Sequence, residues 1–108
     1  FGDERGRLVQ LVHDGYRQIN VITSKAHVKR GGHYHKYNTE AFYVIQGRFT
    51  LVVRQNGQEE EMMFQAGDMF SIPPGVAHDF IYLEDSILVS MYDKGVEINE
   101  KEKDIYSG

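Results

Sequence analysis

Three histidines and one glutamate carry the chemistry that can be read in this chain. His33 and His35 flank Tyr34 in Gly32-His33-Tyr34-His35, Glu40 follows, and His78 closes Pro73-Pro74-Gly75-Val76-Ala77-His78. Residues two apart on a strand share a face, so His33 and His35 can reach one point while Tyr34 turns away. Glu40 lies an odd number of positions beyond His35, and an unbroken strand would turn it outward. Lys36-Tyr37-Asn38-Thr39 reads as a break that resets the phase and brings Glu40 inward. His78 follows a turn at the head of a later strand. Three imidazoles and a carboxylate on one point suit a divalent transition metal, with Zn, Fe, Mn, Ni and Cu all compatible.

The elements that must position these groups read as short strands between turns. Leu8 to Val12 and Ile19 to Thr23 are rich in strand formers and bracket an Asp14-Gly15 turn. Ala26 to Val28 leads through Gly31-Gly32 into the histidine strand, and Ala41 to Gln46 ends at Gly47. Arg48 to Arg54 alternates, with Phe49, Leu51 and Val53 on one face. Asn56-Gly57 signals a two-residue hairpin whose return strand carries Met62 and Phe64 on one face. Met69 to Ile72, Ala77 to Leu83 and Ile87 to Tyr92 follow, then a charged tail from Lys94 to Lys103, with Ile105-Tyr106 placed to cap a barrel end. No sustained helical period appears. The expectation is an all-β sandwich or small barrel.

Bulk properties bound the answer without naming an activity. A chain of 108 residues forms one domain, 1–108, with a single core. It has no cysteine, which excludes disulfides and thiolate metal sites and fits a cytoplasmic location. No apolar run approaches the length of a membrane span and no signal peptide opens the chain. Phe1 is not a natural start, so the native N-terminus is expected to precede it. The net charge of −4 argues against nucleic acid as partner. Lys25, Lys29, Arg30 and Lys36 form a local basic stretch around the histidines, read equally well as an anion site or a solvated strand edge.

The pattern H-x-H-x4-E-x6-G from His33 to Gly47, followed by G-x5-P-x-G-x2-H from Gly67 to His78, resembles the two signature motifs of the cupin superfamily. The departures are His27, where a glycine is usual, and Tyr82, where an asparagine is frequent. The resemblance implies a single-domain cupin jelly-roll barrel, with His33, His35, Glu40 and His78 at its mouth holding one divalent metal ion per chain. Some cupins keep this cavity without metal, using the histidines as acid, base or hydrogen-bond donors.

A narrower resemblance concerns Asp3-Glu4-Arg5-Gly6-Arg7-Leu8, similar to the D-x-R-G-x-L opening of nucleotide-sugar 3,4-ketoisomerases and 3,5-epimerases. Arg30 to Lys36 resembles their R-G-x-H-x-H/Q-K segment, offset by one residue. Arg-Gly-Gly-His-Tyr-His followed by glutamate is similar to the metal-binding cupin of bifunctional UDP-sugar epimerase-reductases; Ile72 to Val76 and the closing aspartate-tyrosine tail also fit.

These families interconvert 4-keto sugars carried on a nucleoside diphosphate, which implies a small-molecule substrate of that class. The step removes a proton beside a ketone and needs both a base and stabilisation of the enediolate oxygen. A coordinated imidazole cannot also be the base. His27 is the candidate, if strand parity runs unbroken through Gly31-Gly32; the competing reading is a surface histidine. In a metal-free version His33 or His35 would move the proton. Arg30, with Arg5 or Arg7, would hold the pyrophosphate, and Tyr37 would offer a hydroxyl or stacking face. Glu59-Glu60-Glu61 reads as a solvated face, His13 as a loop residue, and the four methionines as core filler. Rival expectations are a metal-cupin dioxygenase or lyase, and a non-catalytic sugar- or ligand-binding module. Exposed barrel edges imply a homodimer.

Overall fold

Period-two alternation of apolar residues produces strands throughout, and the described residues, 2–99 and 101–108, contain no helix. Phe1 and Glu100 lie outside them. In this computed structural model the strands are β1 (Gly2–Asp3), β2 (Gly6–Arg7), β3 (Gln18–Ser24), β4 (Lys29–Tyr34), β5 (Glu40–Gln46) and β6 (Arg48–Gln55), then β7 (Gln58–Gln65), β8 (Met69–Ile72), β9 (Ala77–Tyr82), β10 (Ser86–Tyr92) and β11 (Tyr106–Ser107). They form a four-stranded sheet ordered β3-β10-β5-β8 and a five-stranded sheet ordered β11-β4-β9-β6-β7, all antiparallel. β1 and β2 pair with one another. The two large sheets face each other as a jelly roll.

The facing sides fill with Phe42, Val44, Phe49, Leu51, Phe80, Tyr82 and Leu88, each nearly or fully buried. Phe42 stacks on Phe70 at 4.9 Å, and Phe49 meets Phe80 at 5.3 Å. Each such side chain contributes about 1.5–3 kcal/mol through burial. This aromatic packing fills the barrel beyond His78, Phe80 and Tyr82 being the next inward residues along β9. The Asn56-Gly57 signal holds: both residues have positive φ (54° and 77°), as a two-residue turn between β6 and β7 requires.

Three local expectations need correction. Leu8 to Val12 is not a strand; Leu11 and Val12 instead pack with Tyr16 over Ala41, Val89 and Met91 on the outer face of the four-stranded sheet. Ala26 and His27 form a turn. Met91 is core, but Met62, Met63 and Met69 are exposed, Met63 and Met69 at outward positions and Met62 on the edge strand β7. Glu59, Glu60 and Glu61 are all exposed as expected, although alternation along β7 sets Glu60 on the same side as Met62 and Phe64.

Candidate metal centre

A backbone irregularity aims the first histidine. Arg30 lies opposite Phe80, an inward residue, so an unbroken β4 would turn His33 outward. A bulge between Gly31 and His33 shifts the register by one residue and sets His33 opposite His78. Glycine is required here: Gly31 has φ 127° and Gly32 φ 73°, and a Cβ on Gly31 would strike the His78 carbonyl. Asp79 faces outward and pins the bulge, accepting from the Gly32 N–H and from Arg54 Nη1 at 2.6 Å. The Arg54 bond holds the Asp79 carboxyl below its ordinary range.

After Tyr34 the chain leaves β4, bends through Lys36 and Tyr37, and re-enters at Glu40 in the opposite sheet. The anticipated break is therefore real. Its fastening comes from Asp104, which is fully buried and accepts the backbone N–H groups of Lys36 (2.8 Å), Tyr37 (3.0 Å) and Asn38 (3.0 Å), plus Asn38 Nδ2 (2.8 Å). Burial would raise the Asp104 pKa, but these donors outweigh it and hold the group below its ordinary value.

His33, His35 and His78 converge so that one nitrogen from each lies within 4.8 Å of the others. Each ring is oriented by a backbone carbonyl: His33 by Gly31, His35 Nδ1 by Asp104 at 2.6 Å, and His78 Nδ1 by Val76 at 3.1 Å. For His35 and His78, a proton on Nδ1 leaves Nε2 facing the centre. Glu40 Oε1 lies 3.1 Å from His35 Nε2 and 3.7 Å from His78 Nε2, while Ser90 Oγ donates to Oε2 at 2.5 Å. Among the described residues, His78 Nε2 is a buried polar atom with no hydrogen-bond partner. An unpartnered buried acceptor is costly unless something fills it. Adjacent ligand atoms on bonds of about 2.1 Å lie about 3 Å apart around an ion. The three imidazoles can close on one ion, with Glu40 beside His35 and His78 as the candidate fourth ligand.

The electrostatics point the same way. Burial and the neighbouring His35 lower the His33 pKa, and burial lowers that of His78, so both favour the neutral form that binds metal. Burial also acts to lower His35, but the Glu40 and Asp104 contacts prevail and raise it. Burial would raise Glu40; its bonds to His35 and Ser90 overcome that and lower it. Tyr92, buried and edge-on to His35 at 5.1 Å, is pushed up by burial and by Glu40.

The other sequence candidates lie elsewhere. His27 occupies an exposed turn with φ 70°, and its N–H bonds the Tyr82 carbonyl at the other end of β9 from His78. The bulge at Gly31-Gly32 removes the parity on which its role as base depended. Its conformation is the one a glycine would take. Arg30 points away from the histidines, with Nε on Ser24 Oγ (2.8 Å) and Nη2 on the Thr23 carbonyl (3.3 Å). Tyr37 is 55% exposed at the β4–β5 turn, its carbonyl accepting from Lys94 Nζ at 3.0 Å. Arg5 is exposed in the turn joining β1 and β2. The basic stretch is dispersed: Lys29 faces Asp79 at 3.8 Å and Lys36 covers Tyr106 at 4.3 Å. Sequence reasoning did not single out Ser90, or Asp104 as the fastening of the ligand turn. Ser90 carries a faint signal as a polar residue at an inward position of an apolar strand.

Two antiparallel sheets enclosing a histidine-glutamate cluster at one end define a cupin. The chain belongs to the family described as the polysaccharide biosynthesis C-terminal domain, whose model matches residues 1–106. It is 30% identical over 83 residues to quercetin 2,3-dioxygenase from Bacillus subtilis (strain 168), covering 73% of this chain and 23% of that protein. Its structure is similar to dTDP-4-dehydrorhamnose 3,5-epimerase from Sulfolobus tokodaii, with TM-score 0.70 and 26% identity, covering 85% of this chain and 64% of that one. It is also similar to a mutant of the 3,4-ketoisomerase QdtA from Thermoanaerobacterium thermosaccharolyticum in complex with TDP-4-keto-6-deoxyglucose, with TM-score 0.79 and 16% identity, covering 94% of this chain and 78% of that one. The chain thus spans about a quarter of the dioxygenase and under two thirds of the epimerase.

Proposed function

We propose that the chain binds one divalent transition metal through His33, His35, Glu40 and His78 and isomerises or epimerises a 4-keto sugar carried on a nucleoside diphosphate. The observation that carries the metal is the buried, unpartnered His78 Nε2 aimed at the point that His35 Nε2 and Glu40 Oε1 also face. The likeness to a dTDP-sugar 3,5-epimerase at 26% identity supports the substrate class. When bound, such an ion supplies Lewis-acid polarisation of a carbonyl oxygen. The chain's own residues fix the ligand rings through three backbone carbonyls, hold Glu40 ionised through Ser90, and exclude bulk water behind the aromatic core. With three imidazoles committed to the ion, the proton has to pass to another side chain.

The test is a thermal-shift and NMR assay of metal-loaded protein with TDP-4-keto-6-deoxyglucose. The proposal expects stabilisation and, in D2O, deuterium incorporation beside the ketone. Neither effect, with metal present at one per chain, would retire this substrate class. A second reading, a metal-cupin dioxygenase or related enzyme acting on another small molecule, draws on the dioxygenase similarity. Oxygen uptake with a flavonol probe, without any sugar-nucleotide effect, would favour it. Stable binding of a sugar nucleotide without turnover would instead mark a binding module. The outer face of the four-stranded sheet exposes Ile19, Val21, Ile45 and Met69, which supports pairing of two copies.

A further inference from the structure

A chamber of about 440 Å³ lies between the β6–β7 hairpin and the β8–β9 connection. Three of its wall residues touch the metal centre's own framework. Val53 is directly opposite His78, Ile72 is directly opposite Glu40, and the Val76 carbonyl holds His78 Nδ1. The four candidate ligands do not themselves line the chamber, but these three wall residues stand between it and them.

Strand register places one further titratable group on this line. Across the five-stranded sheet, Glu60, Val53, His78 and His33 stand in a single row, each the Cα partner of the next. Neighbouring strands are about 4.8 Å apart, so Glu60 stands about 10 Å from His78 along the sheet, with only Val53 between. Gln58, Glu60, Met62 and Phe64 alternate into the chamber, whereas Glu59 turns outward toward Arg54. Arg54 borders the chamber, but its guanidinium is engaged by Asp79, Glu59 and the Gly108 carbonyl. With no free cation lining it among the described residues, and with Glu60 at the rim, the chamber disfavours a diphosphate. Its apolar wall and the Gln58 amide suit a neutral ring with a hydrocarbon face and a few hydroxyls.

We propose that this chamber receives the sugar ring of the substrate, lying over Val53 between the metal ligands and Glu60, and that Glu60 is a catalytic residue that carries the proton. This rests on the function proposed above. A Glu60 carboxylate oxygen takes the proton from the carbon bearing the hydroxyl beside the ketone. The C–H electron pair becomes the new C=C bond, and the ketone π pair moves onto its oxygen. The carboxylic acid then returns the proton to the former ketone carbon on the same face, while the hydroxyl proton passes to the former ketone oxygen and the second carbonyl forms. Atoms balance and no oxidant is needed. One carboxylate on one face suits ketoisomerisation rather than epimerisation, which needs a donor on the opposite face.

The experiment compares metal-loaded wild type, Glu60→Gln and Glu60→Asp with TDP-4-keto-6-deoxyglucose, reading metal per chain, nucleotide-sugar Kd and isomerisation rate. Glu60→Gln is expected to keep its metal and to bind within about threefold of wild type, yet to isomerise at least 100-fold more slowly. Glu60→Asp should recover part of that loss. A Glu60→Gln rate within threefold of wild type overturns the proton role while leaving the proposed function standing. If wild type neither binds nor converts this sugar, that function and the proton role fall together. The chamber is then judged with tropolone, a chelating hydroxyketone. Met62→Trp, on the edge strand β7 where the backbone has room to adjust, should weaken tropolone binding at least tenfold with metal content unchanged; equal binding overturns the chamber as well.

Discussion

Replacing Asp104 tests whether the C-terminal segment fastens the metal centre. Its carboxylate accepts four hydrogen bonds from the turn between His35 and Glu40, and its backbone carbonyl orients His35. Hydrogen bonds to a charged group contribute about 1.5–3 kcal/mol each. The four share two oxygens, and the Lys36 and Tyr37 N–H groups are only part-buried and can regain water. Asp104→Ala should therefore destabilise the fold by about 3–5 kcal/mol, well short of the simple sum. Asp104→Asn, which sets an amide against donors, should cost about half as much. Loosening the His35 ring should also weaken metal binding by about 10- to 100-fold. The folded-state pKa lies below the ordinary 3.8, so the carboxylate's contribution is complete above pH 3.8 and is lost as pH falls through the lowered value. The stability gap between wild type and Asp104→Asn should narrow accordingly. Urea unfolding from pH 7 down to pH 2.5, paired with a metal-competition titration at pH 7, measures both effects. An Asp104→Asn protein with wild-type stability and metal affinity would refute the fastening role.

Three further outcomes are expected. Gly31→Ala should remove metal binding and destabilise by about 3 kcal/mol or more, because its Cβ would meet the His78 carbonyl and lie 2.7 Å from Asp79 Cα; a folded, metal-binding variant in circular dichroism and elemental analysis contradicts the bulge's role. His27→Gly should stabilise by about 0.5–1 kcal/mol by relieving the φ of 70°, visible as a Tm increase of a few degrees, with metal content unchanged; a lower Tm would count against strain at that turn. Wild type should elute as a dimer by size exclusion with light scattering, and Val21→Glu on the outer sheet face should shift it toward monomer; a wild-type monomer retires the pairing surface.

The clustering of His33, His35, Glu40 and His78 and most strands were legible because each rests on local signals. Alternation marked β6, Asn56-Gly57 marked its hairpin, and the break before Glu40 followed from counting residues. What could not be read depends on register between distant segments. The bulge at Gly31-Gly32 reverses parity, so His27 was counted onto the wrong face. Asp104 sits among other charged tail residues, and nothing local distinguishes it until the tail folds back 66 positions to Asn38. Arg30 beside the histidine motif suggested phosphate, yet its guanidinium reaches the other sheet at Ser24. Glu60 sits within a three-glutamate run, and only pairing with Val53 reveals that it shares a row with His78.

Elemental analysis of untagged protein, before and after refeeding the apoprotein with Zn, Fe, Mn, Ni and Cu salts, reads the metal centre directly. One transition metal ion per chain, lost in His78→Ala while the β-sheet circular dichroism persists, is the predicted result. Protein that retains no stoichiometric metal from any of these salts would show that the three imidazoles and Glu40 do not form an ion site.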